Sequence, residues 1–400
     1  MIATPFMHTD QHVNVAEIEK PNYMIVDLVY GTRPNIIKAA ALYAKWRETR
    51  HCWPFALRLI DTGQHWDQTL SAHQCRALNL PAPAFNLHMG HRQNATGGRP
   101  PGYDPTPRMA AIANVAQAYK TVLASGTKPA ATIAIGDVNG SVGVAQAANT
   151  CNVPLFHLEA GLRGGIDAKA EEANRHELDR RCHYLWAPDE SAAANLLAEN
   201  TPSDRITVTG NIMIDALLRF APQHRETAHQ IAPTVLVTIH RAENTDDPMR
   251  LKPIVKSILE VAQNHQVIWP LHPRTKHALD QLALTPFIEK CAPISLLPAL
   301  PYPAFMARLN AASAVITDSG GILEECAFLG KPAVIVRPQT ERPHAMAHCG
   351  FHHCAPADIA RYLNHALPHP PAPFRPKGWD GKAAERMLQD LSARLQNMPG

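Results

Sequence analysis

The chain has 400 residues, of which 46% are apolar and 18% charged, and its formal net charge is +3. A single hydrophobic core rarely grows beyond about 250–300 residues, so more than one domain is expected. The charge is too small for a broad nucleic-acid or anionic-membrane footprint, which leaves any basic function local.

After an irregular leader, short apolar runs alternate with helical patterns. "YMIVDLVYG" precedes "NIIKAAALYAKWRE", and "ALRLIDTG" follows; "AATIAIGD" leads into "GSVGVAQAANT", then "VPLFHLEAG". "HYLWAP", the helical "ESAAANLLAEN" and "RITVTGN" close this half. The rhythm returns with "TVLVTIH", the helical "LKPIVKSILEVAQN", "QVIWPLHP", "AFMARLNAA", "AVITDSGG", the helical "ILEECAFLG" and "PAVIVRP". Continuous β-branched runs alternating with helices predict buried parallel strands in doubly wound α/β sheets. Two such sets imply two Rossmann-like domains meeting near 212–222.

The eight cysteines contain no C-x-x-C pair, which favours a reduced, cytoplasmic protein. The leader lacks the basic start and apolar core of a signal peptide. No stretch approaches the ~18 apolar residues of a membrane helix.

In open parallel sheets ligands sit at the carboxyl ends of the strands, and there the polar residues gather. "GTRPNIIK" supplies Gly31, Arg33 and Lys38, a turn into a helix start that suits a phosphate or is simply a tight βα connection. It is not a dinucleotide fingerprint, so no nicotinamide is implied. Asp137 and Glu159 end neighbouring strands, where partly desolvated carboxylates suit proton transfer. "AEEANRHELDRR" adds Glu171, Glu172 and Arg175, and reads equally as a helix salt-bridge lattice. His240, Arg241, Glu243 and Asn244 leave one strand together; His272 and Arg274 leave the next. "TDSGGILEE" hands a strand to a helix through Gly320 and Gly321, as a capped turn or an anion cradle. "HCGFHHC" is dense in soft ligands, but its spacing matches no familiar zinc site, and no metal is expected.

In their order, these segments resemble the non-hydrolysing UDP-N-acetylglucosamine 2-epimerases. The matches are "GTRPNIIK", "DTGQHWDQTL", "GDVNGS", "HLEAGLR", "EEANRHELD", "APDESAAANLL", "VTGNIMIDALL", "TIHRAEN", "HPRT", "TDSGGILEECAFLGKP" and "TERP". The resemblance implies a glycosyltransferase-B arrangement with the active site in the interdomain cleft. It places an N-terminal domain over 1–215 and a UDP-binding domain over 216–380. A C-terminal helix within 381–400 would pack back on the first domain. The family inverts carbon 2 of UDP-GlcNAc to give UDP-ManNAc, without cofactor, by proton abstraction, loss of UDP to a glycal, and re-addition.

By motif, Asp137, Glu159 and Glu171 correspond to the acid/base carboxylates, in an order the resemblance leaves open. His240 would stabilise the leaving diphosphate, with Arg33 and Lys38. Ser319, Gly320 and Gly321 would hold phosphates, Glu325 the ribose, Phe305 the uracil, and Arg342 would complete the UDP site. Gln64 and His65 match an effector segment. A UDP-sugar partner and a homodimer are implied.

Several positions depart from the pattern. Asn35 stands where an acid is common, Ala242 replaces an arginine, and Asn139-Gly140 replace hydroxyl residues. The segment between Glu159 and Glu171 is short, and a Gly/Pro-rich loop from Met89 to Arg108 is added. Alternatives are a related UDP-HexNAc or UDP-diacetamido-uronate epimerase, a hydrolysing epimerase releasing ManNAc and UDP, and a UDP-sugar glycosyltransferase. The paired acids favour epimerisation, because simple transfer needs no carbon-2 proton chemistry.

Overall fold

The computed structural model describes residues 23–64, 68–89, 108–164, 169–221, 233–337 and 352–398. They form two units, one ending at Arg219 and resuming at Lys377, the other spanning Phe220–Pro376.

The first unit carries β1 (Met24–Tyr30), β2 (Phe55–Asp61), β3 (Phe85–Asn86), β4 (Ala131–Ile135), β5 (Leu155–Leu158), β6 (Tyr184–Ala187) and β7 (Ile206–Val208). Its parallel sheet has the order β3-β2-β1-β4-β5-β6-β7. The second carries β8 (Thr234–Thr238), β9 (Gln266–Pro270), β10 (Ile294–Leu297), β11 (Ala314–Thr317), β12 (Ala333–Ile335) and β13 (His352–His353). Its parallel sheet runs β10-β9-β8-β11-β12-β13. Both are α/β sheets with helices interleaved in sequence.

The central runs are buried along their whole length, as β4 and β8 show, which is why they lack the alternation of a half-solvated sheet. In each sheet the strand order reverses once beside the first strand, between β1 and β4 and between β8 and β11. Neighbouring loops part at such a switch point and leave a crevice at the strands' carboxyl ends.

Small residues let the layers approach closely. The helix Asn139–Thr150 packs on the helix Arg108–Ser125, and a Cβ on Gly143 would lie 2.6 Å from the Ile112 carbonyl. A buried ion pair lies within the first sheet: Asp27 is fully buried, held by Arg58 at 2.6 and 3.0 Å and by the Tyr119 hydroxyl at 2.7 Å. Burial still pushes its carboxyl up despite the guanidinium.

The helix Ala383–Gln396 packs against the helix Arg33–Thr49 in the first unit. Asp215 accepts from the Ala383 and Ala384 amides at 3.1 and 2.8 Å, capping this helix from another segment. Asp390 accepts from the Trp186 indole at 2.8 Å and the Thr207 hydroxyl at 2.9 Å. At Gly210 (φ +96°) a Cβ would fall 2.5 Å from the Gly378 carbonyl, so this crossing requires glycine.

Candidate active site

The switch point of the first sheet gathers three strand-end segments. The helix Arg33–Thr49 starts after Gly31 and Thr32, with Pro34 in its first turn, where a missing amide proton costs nothing. It buries Lys38, which donates to the Glu159 carboxylate. Arg33 is half-buried, and desolvation lowers its affinity for a proton below the arginine norm. Asp137 follows β4 and Gly136, with its carboxylate 2.6 Å from Arg175 Nη2. Arg175 also meets Glu172 at 3.0 Å; burial works against its charge, but the two carboxylates outweigh it and raise its pKa.

Glu159, just beyond β5, has φ +72°. A non-glycine residue in this left-handed region is costly, on the order of 1 kcal/mol or more, and such strain clusters at functional positions. The conformation turns Glu159 out of the strand towards Lys38.

Glu171 belongs to the helix that supplies Arg175. It is exposed on the first turn of the helix Lys169–Arg181, while the adjacent Glu172 accepts from Gly164 N at 2.8 Å and from Arg175. The salt-bridge lattice expected of this helix therefore exists, but its Arg175 reaches out of it to Asp137.

Gln64 lies beside the same point: a Cβ on Gly140 would come within 2.4 Å of its Oε1. The neighbouring Asp61 accepts from Gly63 N at 2.7 Å, and burial pushes its carboxyl up to about 6. His65 lies outside the described residues, as does the added loop between Met89 and Arg108.

The switch point of the second sheet is organised by Asp318, a residue to which the sequence alone assigned no role. It is 0% exposed and follows β11. Its carboxylate accepts from His240 N at 3.0 and 3.1 Å, Arg241 N at 2.9 Å and Asn244 Nδ2 at 3.1 Å. The loop leaving β8 thus folds around one buried anion and leaves the His240 side chain 31% exposed. The His272 ring lies 5.5 Å from that of His240. The signal available was the run of polar residues in "TIHRAEN" opposite "TDSGG", whose pairing becomes visible only when β8 and β11 are seen to be neighbours.

Ser319 is half-buried and Gly320 buried, while Gly321 is exposed with open space where a Cβ would stand. Its backbone is therefore approachable. The helix Ile322–Leu329 follows, with Glu324 and Glu325 both buried in its first turn. Glu325 Oε1 is 3.4 Å from the Tyr302 hydroxyl. Phe305 is half-buried on the helix Tyr302–Ala311. Arg342 and, of the His/Cys cluster, His348 and Cys349 lie outside the described residues. Among the described residues no group of three or more His, Cys, Asp or Glu is placed to hold a metal ion.

Residues 47–392 match the family model of UDP-N-acetylglucosamine 2-epimerase. The chain belongs to that family. A UDP-N-acetylglucosamine 2-epimerase of Methanocaldococcus jannaschii is 32% identical over 81% of this chain and 86% of its own length. A UDP-2,3-diacetamido-2,3-dideoxy-D-glucuronate 2-epimerase of Pseudomonas aeruginosa is 32% identical over 78% of this chain and 83% of its own. Among solved structures, the M. jannaschii UDP-GlcNAc 2-epimerase in complex with UDP-GlcNAc and UDP superposes with a TM-score of 0.77. It is 28% identical, and the match covers 92% of this chain and all of that one. For this UDP-GlcNAc 2-epimerase family member, the ordered strand-end motifs and the two parallel sheets are thus accounted for together. No described helix is long and apolar enough to cross a membrane.

Proposed function

We propose that the chain is a non-hydrolysing UDP-N-acetylglucosamine 2-epimerase, interconverting UDP-GlcNAc and UDP-ManNAc. The observation that carries this reading is the pair Asp137 and Glu159, on adjacent strand ends of one switch point, each facing its own cation. Inverting a carbon that bears a proton needs a group to remove that proton from one face and a group to return it on the other. Two separately held carboxylates suit that task. Glu171 is the third carboxylate of the reading, on the helix that supplies Arg175.

Loss of UDP from carbon 1 transfers charge to a diphosphate, and preorganised donors lower that barrier most. In this reading His240 and Arg33 receive the developing charge. Lys38 orients Glu159 and has further N–H donors for the diphosphate. The backbone of Ser319, Gly320 and Gly321, open at Gly321, holds the phosphates, Glu325 the ribose, Phe305 the uracil, with Arg342 completing the site. Gln64 and His65 form the effector segment. The enzyme works in the cytoplasm as a homodimer and needs no metal or nicotinamide.

The deciding experiment is incubation with UDP-GlcNAc in deuterated water, followed by NMR. Deuterium at carbon 2 with accumulating UDP-ManNAc is expected. Free ManNAc with stoichiometric UDP would mean hydrolysis. Absence of exchange with UDP-GlcNAc but turnover of a diacetamido-uronate would favour the second reading, which the P. aeruginosa relative supports.

A further inference from the structure

The turn by which the chain leaves β4 is held carbonyl by carbonyl. Asn35 Nδ2 donates to Ile135 O at 2.9 Å, and Ser141 Oγ donates to the same oxygen at 2.6 Å. His157 Nε2 is 3.1 Å from Gly136 O, and Asn174 Nδ2 donates to Asp137 O at 2.8 Å. These side chains come from two helix starts, from β5 and from the helix Lys169–Arg181. Gly136 itself has φ +66°, so the turn is tight as well as clamped.

Within this set His157 occupies a place that otherwise calls for hydrocarbon. It shares a strand face with Leu155, which belongs to the core cluster of Leu178 and Cys182, and it is buried. Its Nδ1 lies 2.7 Å from Asp179. Asp179 also accepts from Gly161 N at 3.2 Å and pairs with Arg163 at 2.9 Å. Burial opposes the charge of Asp179, but these partners outweigh it and hold the carboxyl below its usual range. A buried histidine–carboxylate pair gains little over well-packed apolar residues, so stability alone does not account for His157. To hold Gly136 O, its Nε2 must carry a proton.

We infer that His157 is a positioning residue for the proton chemistry: it locks the Gly136 peptide and thereby aims the Asp137 carboxylate. The inference rests on the reading of Asp137 as an acid/base group. A side-chain amide stands in for one ring nitrogen at a time. His157→Gln places a donor near the Nε2 position, and His157→Asn near the Nδ1 position.

The expected result is that His157→Gln keeps kcat within about threefold. His157→Asn should lose about 10- to 100-fold in kcat with KM nearly unchanged, the scale of a sub-ångström to ångström misplacement. Equal losses in both variants, or wild-type kcat in His157→Asn, would overturn the inference. Should neither variant fold, a long-range proton–nitrogen correlation spectrum of the wild-type ring decides. A protonated Nε2 is expected, and a bare one sinks the idea. Asp137→Asn separates the two levels: full activity there removes the catalytic reading, while the ring spectrum still tests the clamp.

Discussion

The two switch points solve the same problem with opposite materials. In the first unit, carboxylates at strand ends are met by side-chain cations, Lys38 for Glu159 and Arg175 for Asp137. In the second, the buried Asp318 carboxylate is met by two backbone amides and the Asn244 amide. Side-chain cations leave a carboxylate able to gain or lose a proton and keep a partner. Backbone donors make an anion part of the scaffold, and the loop it gathers becomes rigid. One region is suited to changing charge and the other to holding shape.

The largest test strikes the first region. Asp137→Asn and Glu159→Gln should each lower turnover by at least ~100-fold, the usual scale for a general acid or base. Thermal unfolding should shift little for Asp137→Asn, whereas Glu159→Gln strips the buried Lys38 of its anion and should also lower the melting temperature. If turnover stays near wild type in both, the first switch point is not where protons move.

Asp318→Ala should give the reverse balance. Three buried donors would lose their acceptor, costing about 1–3 kcal/mol each at most. The urea midpoint should therefore fall clearly, and kcat/KM should fall about 10-fold as His240 loses its setting. A large loss of turnover with an unchanged midpoint would place Asp318 among the reacting groups and erase the contrast.

The smallest effect concerns Asp61, beside the first switch point. Its folded-state pKa, about 6, lies above the ordinary carboxylate value of 3.8. The protonated form is thus the one favoured by folding. Stability is greatest below about pH 4, declines as pH rises through about 6, and is level above that. Asp61→Asn should stabilise the protein at pH 7.5 by about 1–2 kcal/mol, allowing for partial solvent exposure, and by nothing near pH 4. Melting curves at both pH values check this; an equal gain at both would remove the carboxyl as its source.

Much of the fold was legible in the chain because buried parallel strands have no polar alternation. The ends of β1, β4, β5, β8 and β11 lie where the apolar runs stop, followed by glycine or a cluster of polar residues. The helix Gln68–Ala77 was not legible: its sequence "QTLSAHQCRA" is nearly uniform in polarity and shows no stripe. Nor was β10, whose "ISLL" lies in a proline-rich stretch. In the site, residue types were readable and partnerships were not. Lys38 reads as a phosphate ligand at the head of its helix, yet Glu159, its partner, comes 121 residues later. Glu171 and Glu172 are indistinguishable as letters, but adjacent helical positions point about 100° apart, and it is Glu172 that meets Arg175 while Glu171 is exposed. Asp318 looks like an ordinary turn residue until its burial is known.

The bonds from Asp215 to the amides of Ala383 and Ala384, and from Trp186 to Asp390, join segments 168 to 204 residues apart. During synthesis the first unit is therefore left with a bare helix surface and an uncapped seam while the whole of the second is being made. The second unit, contiguous in sequence, has all its strands before that seam closes. Assembly is expected to run from the inserted unit outward, and a ribosome stalled near residue 376 would display a finished second unit and an unfinished first one.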